Sequence, residues 1–316
     1  MNLKGKTVLI TGGASGIGKI MGRICLKKEV ANLVIWDVNP DNIRRTEIEL
    51  SGILGVGANR TDANNADSLK TPGGGNKDRI HSYLVNCADA DVVAERYSKV
   101  ISEVGQVDVL INCAGVVRGN NTFDKQTVKD INLTMDINAT APMLVALQVL
   151  PDMIKRNSGC VCTIASAAGM LGVPKMSVYC ASKWAVIGWT ESMRIELKLA
   201  KSKVKVMSVA PYFINTGMFD GVQSKIFPIL KPEAVAKKVI KAIEKGKSFK
   251  GIPFPYHFIR FWQGILPIAV FDFIFGKCFG VYSVMDHFTG RRNIQKESLN
   301  IKGKSLPLRR DIHKAS

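Results

Sequence analysis

Residues 6–18 read KTVLITGGASGIG. Lys6 to Ile10 is a short apolar run of the kind that forms a buried strand. Gly12, Gly16 and Gly18 break it into a tight turn, and Lys19 to Lys28 carries on with a helical pattern. A strand, a glycine turn and a helix in that order make an anion cradle. Glycine lets the backbone approach a pyrophosphate closely, and the unpaired amides at a helix N-terminus attract the negative charge. Taken alone, the stretch is also compatible with an ordinary strand-to-helix connection.

The same alternation continues outward from the turn. Strand-like runs separated by helical patterns extend from Lys6 to about Phe254, which predicts an α/β fold with a doubly wound parallel sheet and helices on both faces. Seven strands are expected, beginning near Lys6, Asn32, Ser82, Val107, Cys160, Val204 and Phe249, in a Rossmann fold. Asn39 and Pro40 signal the start of the second helix, and Lys231 and Pro232 precede a late one. Residues 55–79, rich in Gly, Asn, Asp and Lys, interrupt the pattern and read as a flexible loop. A chain of 316 residues with 46% hydrophobic content can bury one large core and is near the upper limit for a single domain.

Four residues downstream of the turn carry a possible chemistry. Tyr179 and Lys183 are four apart, so on a helix they share one face. A phenol is a poor base near neutrality because its pKa is roughly 10, but a neighbouring ammonium favours the phenolate. Ser166 ends the strand-like VCTIAS, and Asn138 lies in MDINATAP within a long apolar helical pattern. Separately, each has a plain structural reading: a turn hydroxyl for Ser166, a helix-surface amide for Asn138. Asp37 ends the apolar run Asn32 to Trp36, where a carboxylate is placed to accept two ribose hydroxyls and to repel a 2′-phosphate. NAD is therefore expected over NADP.

The GxxxGxG turn, the NCAG of Asn112 to Gly115, and Asn138, Ser166, Tyr179 and Lys183 in that order resemble the short-chain dehydrogenase/reductase family over about residues 3–255. The resemblance implies catalysis by Asn138, Ser166, Tyr179 and Lys183. Asn138 holds a water in a proton relay, Ser166 orients the substrate, Tyr179 is the acid/base and Lys183 holds the nicotinamide ribose. It also implies NAD binding by Gly12, Ser15, Gly16, Ile17, Gly18, Asp37, Asn112, Ala114, Gly115, Tyr179, Lys183 and Thr216, the last on the carboxamide. Two positions depart from the pattern. Ala88-Asp89 stands where the family's third strand ends in Asp-Val, so the acid that contacts adenine is expected to be displaced by one residue. Tyr212 follows Pro211 where glycine is frequent, and is expected to line the substrate entrance.

Charge and aromatic content set the extension apart. Net charge is +18, which points to an anionic partner. The 26 residues from Arg291 to Ser316 carry eight Lys or Arg against Glu297 and Asp311. Just before them, ten of the chain's Phe, Trp and Tyr residues fall between Ile252 and Met285. Arg260, Asp272, Lys277, Pro255 and Pro267 cut this stretch into pieces too short for the roughly 20 apolar residues of a transmembrane helix. It reads as an in-plane segment on an anionic membrane surface, with a subunit interface or substrate lid as the other reading. Nucleic acid is not expected, because the basic residues lack a reading motif and the aromatics lack a polar groove. The simplest partition is a catalytic domain over 1–255 and a hydrophobic, then basic, extension over 256–316.

LPIAVFDFIFGKCFGVYSVMDHFTGR, residues 266–291, is similar to the membrane-associated branch of the family that includes retinol dehydrogenases and 17β-hydroxysteroid dehydrogenases. This implies a lipophilic alcohol (retinoid, steroid or long-chain lipid) interconverted with its ketone or aldehyde. It also implies a homodimer or homotetramer, and in a eukaryote the cytoplasmic face of the endoplasmic reticulum or a lipid droplet. A soluble reductase of a small hydroxyacyl or polyol substrate, and a non-catalytic NAD-binding scaffold, are the alternatives. Met1 to Gly5 shows no apolar signal segment, so a cytoplasmic start is expected. Seven cysteines without CxxC or Cys/His spacing are expected to be reduced and to bind no metal.

Overall fold

A computed structural model describes residues 1–54, 79–225 and 227–290; the loop expected over 55–79 lies outside the described residues except for Arg79, as does the basic tail from Arg291. Seven strands form one sheet: β1 (Thr7–Thr11), β2 (Asn32–Asp37), β3 (Ile80–Leu84), β4 (Val109–Asn112), β5 (Cys160–Ile164), β6 (Lys205–Pro211) and β7 (Phe249–Ile252). Every pairing is parallel, and the spatial order is β3-β2-β1-β4-β5-β6-β7. The strands begin within two residues of the expected positions.

Strand side chains alternate between two cores, as a sheet buried on both faces requires. Val8, Ile10, Leu33 and Ile35 point to one side, where α1 (Gly16–Lys27), α2 (Pro40–Ile53) and α7 (Pro232–Glu244) cover them with Met21, Ile43, Leu50 and Val239. Leu9, Val34 and Trp36 point to the other. There α3 (Ala90–Glu103), α5 (Ala141–Lys155) and α6 (Ser177–Leu199) supply Val93, Val100, Val145, Val149 and Leu197. Both expected helix starts are in place, α7 opening at Pro232 without a side-chain cap. Asn39 accepts a hydrogen bond from the Asn42 amide at 2.9 Å, with Pro40 opening α2.

Strand order reverses between β1 and β4, which opens a crevice at their C-terminal ends. Thr11 Oγ1 ties the two together there, accepting from the amides of Cys113 and Ala114 at 3.1 and 3.2 Å. Val128–Lys155 is long and apolar enough to cross a membrane. It comprises α4 (Val128–Met135), a π-helical turn (Asp136–Thr140) and α5, and Val145, Val149 and Met153 from it lie in the core.

The aromatic segment folds back on the body. Pro253 and Pro267 bound α8 (Ile259–Ile265) and α9 (Ile268–Phe271), and a π-turn (Asp272–Cys278) follows. Tyr256, Ile259, Val284 and Met285 are buried in a third apolar cluster with Ala168, Tyr179 and Ile187. Polar contacts pin the fold-back. Gln263 Nε2 donates to the Met170 carbonyl at 2.8 Å, and Lys175 pairs with Asp286 at 2.7 Å.

Candidate active site

The site lies at the C-terminal ends of β1, β4, β5 and β6, and one cleft joins the glycine turn to the tetrad. Gly12, Gly16, Gly115, Ser166, Tyr179 and Thr216 are among the residues that line it. α1 begins at Gly16, three residues earlier than the periodicity suggests, so Gly16 and Gly18 form its first turn. The three glycines are required for different reasons. A β-carbon on Gly12 would lie 2.8 Å from the Ala114 Cα, and one on Gly18 would lie 2.2 Å from the Gly12 carbonyl oxygen. Gly16 stands at φ +51°, a conformation side chains rarely adopt, although a β-carbon there would meet only the Thr216 side chain, in ordinary contact at 3.8 Å.

That cradle fits a pyrophosphate. Ser15, the N-cap of α1, makes no side-chain cap hydrogen bond, and the first turn carries no acidic residue. The leading amides of this twelve-residue helix therefore meet no anion from its own cap or first turn. At the adenosine end of the crevice Asp37 is buried, and its carboxylate accepts from the Ala14 amide and the Asn39 amide, both at 3.1 Å. This fixes the carboxylate against the turn. Asp89, in contrast, is the N-cap of α3 and accepts from the Asp91 and Val92 amides at 3.1 Å. The acid at the displaced position therefore holds a helix.

Asn112 and Ala114 sit behind the wall of the cleft. Asn112 is buried and donates to the Pro142 carbonyl at 3.2 Å, and Ala114 packs on Gly12. Neither lines the cleft, whereas Cys113, Gly115 and Val116 do.

Asn138 occupies the π-turn that interrupts the long helix, and is 1% exposed. The extra residue of that turn re-aims the side chain. Its Oδ1 accepts from the Val116 amide at 2.8 Å, and its Nδ2 donates to the Val116 carbonyl at 2.9 Å and to Ser182 Oγ at 3.2 Å. Both donor sites of the amide are used, leaving one Oδ1 lone pair. Ser182 in turn donates to the Tyr179 carbonyl at 2.7 Å. One buried chain of hydrogen bonds therefore runs from the loop after β4 to the helix that carries Tyr179. Ser182 is a residue the sequence reading missed; its only signal is a hydroxyl one turn from the tyrosine.

Ser166 lies two residues past β5 and caps a 3-10 turn (Ala167–Gly169), accepting from the Ala168 amide at 3.2 Å. Tyr179 and Lys183 share the inner face of α6 as the spacing predicts, and both are buried. The ammonium lies 5.7 Å from the centre of the tyrosine ring and donates to the Ile164 carbonyl at 3.1 Å. Burial dominates the electrostatics of both groups. It pushes the Tyr179 phenol well above its ordinary value, and the Ser166 hydroxyl pulls it partly back. Burial also lowers Lys183 to about 8, with a small opposing push from Cys113. The expected lowering of the phenol by the ammonium does not register in this geometry, because Lys183 is engaged with Ile164 while desolvation acts on the whole phenol.

A second cavity opens from the first at Ser166, Tyr179, Tyr212 and Phe219, which line both. Its other walls are apolar or aromatic, among them Leu171, Val173, Phe213 and Tyr256, and none is charged. Phe219 meets the Tyr179 ring edge-on at 6.1 Å. Tyr212 stands at the junction, held by a 2.9 Å hydrogen bond to Ser224 and packed against Phe213 and Tyr256. Phe219, Tyr256, Val281 and Val284 were not singled out in the sequence, since the long-range packing that brings them to Tyr179 leaves no local spacing signal.

Comparison with known proteins agrees with this geometry. A model of the short chain dehydrogenase family matches residues 54–226. Epidermal retinol dehydrogenase 2 of Mus musculus is 35% identical over 297 residues, covering 92% of this chain and 87% of its own. Retinol dehydrogenase 10-B of Danio rerio is 31% identical over 308 residues, 95% and 88% covered. Estradiol 17-beta-dehydrogenase 11 of Homo sapiens is 30% identical over 267 residues, 84% and 81% covered. A short chain dehydrogenase/reductase from Burkholderia phymatum, solved in complex with NAD, superposes with a TM-score of 0.69 at 21% identity, over 84% of this chain and 95% of that one. The chain belongs to the short-chain dehydrogenase/reductase family, in the branch that resembles retinol and hydroxysteroid dehydrogenases. It is an oxidoreductase that uses a nicotinamide cofactor.

Proposed function

We propose that this short-chain dehydrogenase interconverts a lipophilic alcohol and its ketone or aldehyde with NAD(H), using Tyr179 as the acid/base. One observation carries the reading: the Ser166 and Tyr179 hydroxyls stand where a cleft shaped for a dinucleotide meets an uncharged aromatic cavity. Such a cavity favours a retinoid, steroid or long-chain lipid over a polyol or small hydroxyacyl compound, whose polar groups would be left unpaired there. The relatives named for retinol and estradiol fit the same class.

Gly12, Ser15, Gly16, Ile17 and Gly18 would hold the pyrophosphate and Asp37 the adenosine ribose. Lys183 and Thr216 would hold the nicotinamide half, with Gly115 leaving room beside it. A nicotinamide bound there supplies the hydride acceptor. In the oxidative direction Ser166 hydrogen-bonds the substrate hydroxyl, and Tyr179 takes its proton. Burial raises the phenol, so it serves as a proton donor in the reductive direction and needs a nearby positive charge to act as base. A Lys183 released from Ile164 is the group in place to provide one. Asn138 holds Val116 and Ser182 in register, and its remaining Oδ1 lone pair is available to a relay water. Asp37 favours NAD, because a 2′-phosphate would meet a carboxylate held against the turn.

Exposed Leu147, Ile154, Trp184 and Ile195 on α5 and α6 favour a homodimer or homotetramer. The aromatic fold-back and the basic tail favour peripheral association with an anionic membrane on its cytoplasmic face. Residues 1–255 are then the catalytic domain and 256–316 a hydrophobic, then basic, extension, whose described part to Gly290 packs against it.

Tyr179→Phe is the direct test. NADH formation from a panel of retinoids, steroids and long-chain alcohols should vanish, while titration of NAD by tryptophan fluorescence should match the unaltered protein. Turnover retained in the variant would refute the assignment.

A further inference from the structure

The cavity beside Tyr179 is too small for the substrate class proposed for it. It encloses about 30 Å³, whereas sites for drug-sized ligands run to roughly 300–1,000 Å³. Next to it lies a groove of about 470 Å³ between the 171–177 segment and the C-terminal fold-back. Cavity and groove share Leu171, Val173 and Val281 as walls, so only these three apolar side chains separate them. Two of the three belong to the loop after β5, and the third to the fold-back.

The same fold-back also exposes apolar side chains among the described residues. Phe254, Phe261, Trp262, Ile265, Ile268 and Phe273 are each between 44% and 81% exposed. They are spread over the segment from the end of β7 to the π-turn at Asp272, which also supplies Phe271, Phe275 and Tyr282 to the groove. So many exposed aromatic and aliphatic side chains on one segment call for a partner. Charge selects it. The patch is followed by 26 residues with eight Lys or Arg and two acids, in a chain of net charge +18. A second copy would bring like charges together, whereas an anionic bilayer meets both the aromatics and the basic residues.

Resting on the proposed lipid alcohol dehydrogenase reading, we infer that the fold-back is a lateral portal. Its exposed aromatics sit in an anionic bilayer, and the alcohol passes from the bilayer into the groove. The hydroxyl end then reaches Ser166 and Tyr179 past Val281, while the hydrocarbon remains in the groove. The π-turn and the glycine just after it form a close-packed part of this wall. Gly276 packs so closely on the Tyr282 ring that a β-carbon there would lie 2.3 Å from it, and Gly280 stands at φ +74°.

The full chain is tested with vesicles of phosphatidylcholine and phosphatidylserine. A Phe261→Ser/Phe273→Ser variant should lose vesicle co-sedimentation and raise KM for a vesicle-dissolved long-chain alcohol on the order of tenfold. Its kcat/KM for a short water-soluble secondary alcohol should be unchanged. Gly172→Trp addresses the groove itself. Gly172 lines the groove and not the cavity, and a β-carbon there meets nothing within 4 Å, so an indole can fill the space without moving the backbone. That variant should still bind vesicles and oxidise the short alcohol while losing the long one. Unaltered vesicle binding and KM in the double serine variant would overturn the portal, as would full long-chain turnover in Gly172→Trp. A fall in oligomeric mass accompanying the serine substitutions would also overturn it, assigning the surface to a second copy. If the unaltered protein oxidises neither alcohol, the proposed reaction fails, and the vesicle arm still decides the surface on its own.

Discussion

Replacing Lys183 by methionine should inactivate the protein and stabilise it. Lys183 is 5% exposed, and burial lowers its pKa from 10.5 to about 8. A cation whose folded pKa is depressed costs stability wherever the unfolded chain would be protonated and the folded one resists it. The cost is zero above about pH 10.5, grows as pH falls towards 8 and is complete below that. A depression of about 2.5 pH units corresponds to roughly 3 kcal/mol. Methionine keeps the apolar stem and removes the charge. It also removes the 3.1 Å hydrogen bond to the Ile164 carbonyl, worth about 1 kcal/mol. The net expectation is a gain of about 2 kcal/mol near neutral pH, or a rise in Tm of roughly 4–8 °C for a domain of this size. Calorimetry of both proteins from about pH 6 to 11 gives the profile. The gain should be flat below pH 8, shrink above it and reverse sign once the unaltered lysine is neutral in both states. A variant no more stable than the parent at pH 7, or a gain that persists unchanged at pH 11, would refute the reasoning that burial without an acidic partner governs this residue.

Other substitutions test the frame around it. Asn138→Ala removes three hydrogen bonds from a side chain that is 1% exposed and leaves the Val116 groups unpaired, so urea unfolding should show a loss of about 2–4 kcal/mol. Gly18→Ala forces a β-carbon to within 2.2 Å of the Gly12 carbonyl oxygen; NAD titration should show at least a tenfold weaker complex on the order of the usual cost of such overlap. Asp37→Asn keeps a group that can accept from the Ala14 and Asn39 amides but removes the charge. The ratio of kcat/KM for NAD over NADP should fall by at least about fivefold, since one charge pair at 4 Å is worth about 1 kcal/mol even in bulk water.

Sequence legibility followed the range of the interactions. The glycine turn, the strand ends and the Tyr179–Lys183 pair are set by neighbours a few residues away, so spacing alone located them. Asn138 was found as a residue, but its setting was not: the π-turn exists because Val116 and Ser182, distant in the chain, take both ends of its amide. Asp89 illustrates the same limit from the other side. An acid near the end of β3 looked like a displaced cofactor contact, while its two-residue spacing from Asp91 makes it the cap of α3. The aromatic segment could be recognised by composition and by its breaks at proline. Which of its residues turn inward to Tyr179 and which remain in solvent depended on contacts with the 170–176 loop, and no periodicity of so broken a segment encodes that.

The placement of Lys183 connects these strands of argument. A buried ammonium held by a backbone carbonyl, with its pKa lowered by desolvation, is a poor choice for stability. An apolar residue would pack in the same space at lower cost. Three polar groups of the site are well bonded: Asn138 at both ends of its amide, Ser182 to α6, and Asp37 to two amides; Asn112 Oδ1 and Thr163 Oγ1, on β4 and β5, are buried without a partner. Local departures from stability cluster at functional positions. The four residues read from spacing therefore gain support of a different kind. Lys183 lines the cleft together with the glycine turn and Tyr179, and a charge buried there at a cost to the fold is in keeping with the role proposed for it.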